Sequence, residues 1–391
     1  MMATWKDVRH LLCVRADNMG DLLMSGPAIT ALKETFRCAI TVLTSSAATP
    51  IAAYMPGVDA VLTWDMPWVK MNGTSANRPV LHLVSQLRRG NFDAAIIFTV
   101  FSQNPLATAL ILTMAGIPRR LAYCRENPYE LLSHWVPDKE PYSLIRHQVR
   151  RDLDLVATIG ATTRDEQIRL QLPEKYENTA REKAANAGVD LHAPWLIIHP
   201  GVSEKKREYP ASKWIAAGTK IATRLNYQLV ITGIEREKPL AEKIVRGIAE
   251  GAFSLSGKLS LEELIALIKL APLVVSVNTA TVHIAAAVKT PTVVLYALTN
   301  PQHAPWKNRG SVLPFSVAEP LRSRNEILRY VEQYYFGAAI SETGDEDIYR
   351  AVYSILIEKK QPVIPELVRV PEASGDEQDL VFPRTVKLPE K

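Results

Sequence analysis

An acidic residue near the start of the chain lies where it could accept a proton. Residues 10–15 (HLLCVR) predict a buried strand, and Gly20 and Asp21 follow it at the predicted start of a helix over 21–36. A carboxylate at such a turn faces the cleft beyond the strand ends and can act as a general base toward a hydroxyl group. It can instead only cap the helix and complement its dipole. The turn by itself leaves both interpretations open.

A second turn, residues 199–210 (HPGVSEKKREYP), places a glycine and a hydroxyl ahead of three consecutive cations. Backbone N–H groups and Lys or Arg side chains all favour a diphosphate, so the turn predicts an anion site. The spacing is not that of a Walker loop, since GxxxxGK[ST] is absent. A solvated basic loop is the alternative interpretation.

A third segment, 277–283 (VNTATVH), joins a predicted buried strand to a helix. The free amides and the dipole of that helix start favour an anion, which predicts a second anion site on the same cleft. His283 lies in this helix, and a histidine in such a position is more commonly a buried core residue than a catalyst.

The spacing of the remaining residues disfavours other chemistries. The first turn has one glycine where a dinucleotide-binding fingerprint has three. The chain shows no GxSxG motif and no His, Cys, Asp and Glu cluster with metal-ligand spacing. We therefore expect neither an NAD site nor hydrolysis by a serine or zinc mechanism.

Short apolar runs that alternate with helical patterns must position these turns. This alternation predicts βαβ units around parallel sheets, an α/β class with two doubly wound halves. We place the hinge between the halves within 171–176 (QLPEKY), where a proline interrupts the helical pattern. The predicted division is an N-terminal domain over 1–172, a second domain over 173–345, a bridging helix over 346–360 and an extended or disordered tail over 361–391.

Composition limits the class of protein. At roughly 150 residues per domain, 391 residues predict two to three globular domains. The formal charge of +5 favours anionic partners without requiring nucleic acid, and three cysteines without CxxC spacing fit a reducing compartment. We expect no secretory signal in residues 1–14. Residues 106–117 (LATALILTMAGI) are too few to span a bilayer and predict a buried helix, with a membrane-contacting surface as the alternative.

These segments, in this order, resemble glycosyltransferase family 9, the lipopolysaccharide heptosyltransferase family. The resemblance spans roughly residues 10–305 and rests on five motifs. They are VRADNMGDLLMSGPAITALKE (14–34), HPGVSEKKREYPASKW (199–214), VITGIEREKPLAEKI (230–244), SGKLSLEELIALI (256–268) and VSVNTATVHIAAAVKTPTVVLYALTNP (275–301).

The resemblance implies a GT-B fold, in which two Rossmann-like domains face a central cleft. It implies an inverting transfer of a sugar, by default heptose from ADP-heptose, to a lipopolysaccharide-type or other cell-envelope saccharide. No essential metal or other cofactor is implied, because the nucleotide-diphosphate sugar is a co-substrate. A cytoplasmic enzyme is implied, with possible peripheral contact at the inner membrane, where basic charge suits anionic lipid, and with no nucleic-acid partner.

Residue roles also follow from the resemblance. Asp21 matches the family's general base, with Asn18, Met19 and Gly20 on the acceptor side. The implied donor-binding residues are Ser203, Lys206, Arg207, Gly233, Glu237, Leu259, Asn278, Thr279, Ala280, Thr281 and His283. Which of Lys206 and Arg207 holds the diphosphate stays open, because the family's lysine aligns with Arg207. Glu237 is a candidate for the ribose hydroxyls.

One departure from the family pattern concerns the donor sugar. The family usually has Asp-Thr-Gly where this chain has Asn278, Thr279 and Ala280. An asparagine keeps hydrogen-bonding capacity but can shift sugar selectivity, and Ala280 restricts the turn if a positive φ is needed there. Two alternatives therefore remain: a nucleotide-sugar epimerase or phosphorylase on the same architecture, and a catalytically degenerate member that acts as a binding subunit.

Overall fold

The computed structural model describes residues 5–69, 80–298, 300–335, 342–360, 362–364 and 368–369. The first half of the chain forms a parallel sheet with helices on both faces. Its strands are β1 (His10–Arg15), β2 (Ala39–Thr44), β3 (Ala60–Thr63), β4 (Ala94–Ile97), β5 (Arg119–Cys124) and β6 (His134–Pro137), followed by the short β7 (Ile145–Arg146). Its helices are α1 (Met19–Met24), α2 (Gly26–Phe36), α3 (Thr49–Ala52), α4 (Val80–Arg89), α5 (Leu106–Met114) and α6 (Gln148–Ala157).

The second half repeats this architecture. Its strands are β8 (Trp195–His199), β9 (Gln228–Ile231), β10 (Ala252–Ser254), β11 (Val274–Val277), β12 (Thr292–Ala297) and β13 (Gly310–Phe315), and β14 (Val368–Arg369) follows near the end of the chain. Its helices are α7 (Lys175–Asn186), α8 (Ala211–Leu225), α9 (Lys238–Ile248), α10 (Leu261–Leu270), α11 (Ala280–Ala287), α12 (Glu326–Tyr335) and α13 (Asp345–Leu356).

Both sheets have doubly wound strand orders, β3-β2-β1-β4-β5-β6 and β10-β9-β8-β11-β12-β13. The order reverses beside the first strand of each half, between β1 and β4 and between β8 and β11. Strands buried on both faces are continuous apolar runs, which is why the sequence pattern located strands such as β1, β8 and β12. The predicted α/β class with two Rossmann-like units is confirmed.

A continuous apolar core joins the two units. It contains Leu22 and Ile29 from the first unit and Ile265 and Ile284 from the second, all at most 1% exposed. Helices α1 and α11, each of which follows a strand beside the point where its sheet's order reverses, are in contact between the units. This arrangement fixes the cleft in which the predicted turns meet.

Two details differ from the sequence prediction. The single helix expected over 21–36 is two helices, α1 and α2, which meet at Ser25 ahead of a Gly-Pro pair, and the Ser25 hydroxyl donates to Asp152 Oδ2 at 2.6 Å. The helix expected to bridge the domains is α13, and its buried face packs on α8 and β13 of the second unit. The contact with the first unit is made by α12, whose Tyr335 packs beside Phe101 and donates to the Pro141 carbonyl.

Most of the predicted tail lies outside the described residues. Within them, Val363 forms a bridge with Arg309, and β14 pairs antiparallel with β7 of the first unit. Among the helices of the described residues, none has the length and apolar character needed to cross a bilayer.

Candidate active site

Asp21 lies in the first turn of α1, at the boundary between the two units. Asp21 lies at the third position of α1 and is 9% exposed. Its Oδ2 accepts a hydrogen bond from the Asn18 backbone N–H at 3.2 Å, which caps the helix. Its Oδ1 lies 3.4 Å from Arg15 Nη2 and 3.6 Å from Nε2 of His303, a residue of the second unit. One oxygen thus serves the cap, while the other faces the cleft.

The guanidinium groups of Arg15 and Arg207 keep Asp21 ionised at neutral pH. Burial by itself raises the pKa of this carboxyl, but His303, Arg15 and Arg207 lower it, and the net pKa lies below the ordinary value. Burial lowers the pKa of His303 to about 4 in spite of Asp21. At neutral pH the site therefore holds a carboxylate that can accept a proton and a neutral imidazole beside it.

The acceptor-side residues predicted with Asp21 pack the two units closely together. A Cβ atom at Gly20 would lie 2.9 Å from Cδ2 of His283 and 3.5 Å from Cα of Ala280, so only a glycine fits between α1 and α11. Met19 is partly buried against the shared core. The starts of α1 and α11 are thus in direct contact.

The structure separates the two cations whose roles the sequence left open. Arg207 Nη1 donates to the carbonyl of Asn278 at 3.2 Å, which places the guanidinium at the end of β11 and near Asp21. Lys206 Nζ pairs with Glu204 Oε2 at 2.8 Å, and Nη2 of Arg207 also lies 3.6 Å from Glu204 Oε1. Ser203 is exposed on the same loop. Arg207 is the cation that faces the cleft.

The departure from the family pattern at Asn278 has a structural explanation. Asn278 is 5% exposed, and its Oδ1 accepts from the Ala297 N–H at 3.1 Å, which ties β11 to the end of β12. An aspartate could accept the same bond, so asparagine keeps the local structure. Ala280 is the first residue of α11 and has helical backbone angles, so the expected strain does not arise.

Three polar atoms near the start of α11 are buried without a hydrogen-bond partner among the residues that the structure describes. They are Nε of Arg207, Oγ1 of Thr279 and Nδ1 of His283. Thr281 is also buried in this first turn. Buried polar groups are normally paired, so unpaired ones beside a helix N-terminus indicate a ligand that supplies the missing partners. His283 is thus a buried histidine with one ring nitrogen unpaired among the described residues.

The predicted nucleoside residues lie farther along the same sheet edge. The Glu237 carboxyl covers two glycines at neighbouring strand ends, since a Cβ at Gly201 would lie 2.2 Å from its Cδ and one at Gly233 2.9 Å from its Oε2. Burial raises the pKa of Glu237, while the Ile234 N–H donates to it at 2.9 Å. Leu259 packs against the shared core, so its side chain is part of the packing there.

Two residues of the site, Arg15 and His303, were not predicted from the sequence. Arg15 is 1% exposed at the end of β1 and lies 3.0 Å from Asp17 as well as near Asp21. A charged residue at the end of a predicted buried, largely apolar strand is the signal that could have identified Arg15. His303 reaches Asp21 from a short 3-10 helix, and no local pattern predicts that contact. Within the described ranges, no group of three His, Cys, Asp or Glu side chains could hold a metal ion.

Comparison with known proteins agrees with the geometry. Residues 80–326 match the family model of glycosyltransferase family 9 (heptosyltransferase). Over 305 residues the chain is 27% identical to lipopolysaccharide heptosyltransferase 3 of Escherichia coli, covering 74% of this chain and 84% of that protein. Over 334 residues it is 24% identical to lipooligosaccharide heptosyltransferase 2 of Haemophilus influenzae, covering 83% and 89%.

Solved structures show the same fold. A family 9 glycosyl transferase from Veillonella parvula superposes with a TM-score of 0.69 at 16% identity, covering 92% of this chain and 99% of that one. The E. coli ADP-heptose lipopolysaccharide heptosyltransferase II gives a TM-score of 0.65 at 18% identity, covering 90% and 99%. The GT-B architecture implied by the motifs is thus confirmed. The chain belongs to glycosyltransferase family 9 and is a glycosyltransferase.

Proposed function

We propose that this enzyme transfers a heptose from ADP-heptose to a lipopolysaccharide-type saccharide with inversion, using Asp21 as general base and no essential metal. The names of its relatives support heptose as the transferred sugar and a lipopolysaccharide or lipooligosaccharide as the acceptor class. The observation that carries the proposal is the position of Asp21 Oδ1, which faces the second unit 3.6 Å from His303 Nε2.

In the proposed reaction, Asp21 takes the proton of an acceptor hydroxyl while the hydroxyl oxygen bonds to the anomeric carbon. The bond from that carbon to the donor's phosphate oxygen breaks, and its electron pair leaves on the ADP diphosphate. The low pKa of Asp21 keeps the base ionised before acceptor binding. Because Oδ2 is held by the Asn18 N–H, the carboxylate is fixed in one orientation.

The leaving diphosphate gains charge as the bond breaks, and fixed donors at that point stabilise the transition state. Arg207 and the start of α11 supply such donors in this proposal, and the unpaired Thr279 hydroxyl is a further one. Glu237 is proposed to bind the ribose hydroxyls, beside Gly233. Asn278 is proposed to hold the strand end and to influence the donor sugar only indirectly.

The test is the turnover of two Asp21 variants. Asp21→Asn keeps an oxygen for the Asn18 N–H but removes the base, so we expect kcat to fall by about 10²–10⁴-fold with normal stability and normal ADP affinity. Asp21→Ala should lose the same activity and also about 0.5–2 kcal/mol of stability with the cap. Wild-type turnover in Asp21→Asn would refute the proposed base.

The same assay separates the other enzyme classes. Release of ADP only in the presence of an acceptor supports a transferase. Release without an acceptor, or a rearranged sugar nucleotide, would support a phosphorylase or an epimerase. ADP-heptose binding without any turnover would support a binding subunit.

We further propose peripheral contact with anionic lipid through the α4–α5 face. Leu110 and Met114 of α5 are 48% and 41% exposed, Leu81 of α4 is 65% exposed, and Arg88 is exposed beside them. Apolar side chains next to cations suit a lipid surface. Cosedimentation with phosphatidylglycerol vesicles at low salt tests the contact, and a Leu110→Ser/Met114→Ser variant should bind less. No binding of the wild type would refute it.

A further inference from the structure

The loop after β8 carries a carboxylate, Glu204, that pairs with both cations considered for the diphosphate. Its Oε2 lies 2.8 Å from Lys206 Nζ, and its Oε1 lies 3.6 Å from Nη2 of Arg207. The side chains of Glu204, Lys206 and Arg207 are 33%, 26% and 21% exposed, so water screens these ion pairs only in part. One carboxylate is therefore shared by the two cations.

The backbone of the loop holds Glu204 and Arg207 close together. A short 3-10 helix follows Glu204, and the Arg207 N–H donates to the Glu204 carbonyl at 2.9 Å. Side chains three positions apart lie on the same side of a helix with three residues per turn. The Glu204–Arg207 pair is therefore a property of the local fold of this loop.

The electrostatic influence of Glu204 extends to the proposed reaction centre. Glu204 is one of the charges that act on His303, as are Asp21 and Arg207. Arg207 is in turn one of the charges that act on Asp21. The carboxylate of Glu204 thus belongs to the same group of charges as the proposed base and the cation proposed to bind the diphosphate.

Lys206 and Arg207 have different surroundings. Besides pairing with Glu204, Lys206 is one of the cations that act on Glu332 of α12. Arg207 instead donates from Nη1 to the Asn278 carbonyl at 3.2 Å, at the end of β11. Glu204 therefore links a cation that has a second carboxylate nearby to a cation that faces the cleft. A carboxylate held by Lys206 can leave Arg207 without becoming an isolated charge.

We propose that Glu204 competes with the donor's diphosphate for Arg207 and thereby determines how tightly the enzyme binds ADP. When the diphosphate binds, its oxygens replace the carboxylate at Arg207, and Glu204 stays paired with Lys206. When ADP leaves, the carboxylate returns, so the partly buried guanidinium keeps an anionic partner. This inference rests on the proposed function, because it takes Arg207 to bind the diphosphate.

Two effects of the same sign lower the affinity for ADP in this proposal. The Glu204–Arg207 ion pair is broken on binding, and the displaced carboxylate still repels the nearby diphosphate. Ion pairs that are partly exposed contribute modestly, so the combined effect should be about three- to tenfold in Kd. Both effects are electrostatic and weaken with added salt.

The experiment measures the Kd of ADP by calorimetry for the wild type and for Glu204→Gln, which is nearly isosteric. We expect the variant to bind ADP about three- to tenfold more tightly at about 50 mM NaCl, with a smaller difference at about 500 mM. Inhibition of turnover by ADP should strengthen by the same factor. Glu208→Gln is the matched control, since it removes an exposed carboxylate from the same loop and should leave the Kd unchanged.

Lys206→Ala separates competition from direct binding of the diphosphate by Lys206. Without Lys206, Glu204 pairs with Arg207 alone, so ADP should bind about threefold more weakly than to the wild type. In the Glu204→Gln background, the same substitution should change the Kd by less than about twofold. Glu204→Ala should give the same gain in affinity as Glu204→Gln if the latter does not fold normally.

The possible results separate this inference from the proposed function. An ADP affinity that is unchanged or weaker in a normally folded Glu204 variant would overturn the inference, and so would an equal loss from Lys206→Ala in both backgrounds. Either result leaves ADP as the bound nucleotide. A wild type that does not bind ADP would instead refute the proposed donor.

Discussion

Replacement of Gly20 by alanine tests whether the contact between α1 and α11 belongs to the catalytic state. The added Cβ would lie 2.9 Å from His283 Cδ2, and carbon atoms in ordinary contact are about 3.5 Å apart, so the helices must separate by about 0.6 Å. His283 is 5% exposed, so its ring is enclosed by neighbouring side chains. Asp21 is the next residue and moves with α1.

A shift of this size is large for a catalytic group. A misplacement of about 1 Å can cost about 10²-fold in rate, so Gly20→Ala should lower kcat about tenfold or more. Stability should fall by about 0–2.5 kcal/mol, because the gain in helix propensity of about 0.5–1 kcal/mol offsets only part of an overpacking cost of about 1–3 kcal/mol. The assay is ADP release, with KM for ADP-heptose and a thermal unfolding curve measured in parallel.

Gly26→Ala is the matched control. Gly26 begins α2, and a Cβ there would lie 3.4 Å from Cε of Met55, the flexible end of a side chain. This control should keep wild-type kcat. In a His283→Ala background, where the obstructing ring is gone, Gly20→Ala should cost nothing further. Full activity of Gly20→Ala in the otherwise native enzyme would show that the catalytic state does not contain the α1–α11 contact.

Three further predictions concern charge, hydrogen bonding and pH. Arg207→Ala should lower kcat/KM for ADP-heptose by about 10²-fold, and Lys206→Ala by far less, because only Arg207 faces the cleft; equal losses would contradict this. Asn278→Asp should keep wild-type stability in denaturant unfolding, whereas Asn278→Ala should lose about 0.5–1.5 kcal/mol with its buried hydrogen bond. Burial lowers the pKa of His147, which bonds Ala304 across the units, to about 3. The unfolded chain therefore binds more protons below about pH 6.5, and His147 by itself should contribute about 2 kcal/mol to the loss of stability from pH 7 to pH 5, a contribution that His147→Gln should remove.

The sequence by itself located strands β1, β2, β4 and β8 to β12 of the two sheets and the turns at their edges. Strands buried on both faces must be apolar runs, and the residues after them must lie at one edge of a parallel sheet, so the pattern located Asp21 and the turn that contains Arg207. The family resemblance supplied the chemistry expected of those turns. These features depend on residues that are close together in the sequence, so a local sequence pattern is enough to predict them.

Only the tertiary structure decided which groups meet across the cleft. His303 lies 282 positions beyond Asp21 in the chain, and their 3.6 Å separation follows from the docking of the two units. The choice between Lys206 and Arg207 depended on where Glu204 and the end of β11 lie. Contacts between distant segments are set by packing and by the pairing of buried charge, and neither leaves a periodic signal in the sequence.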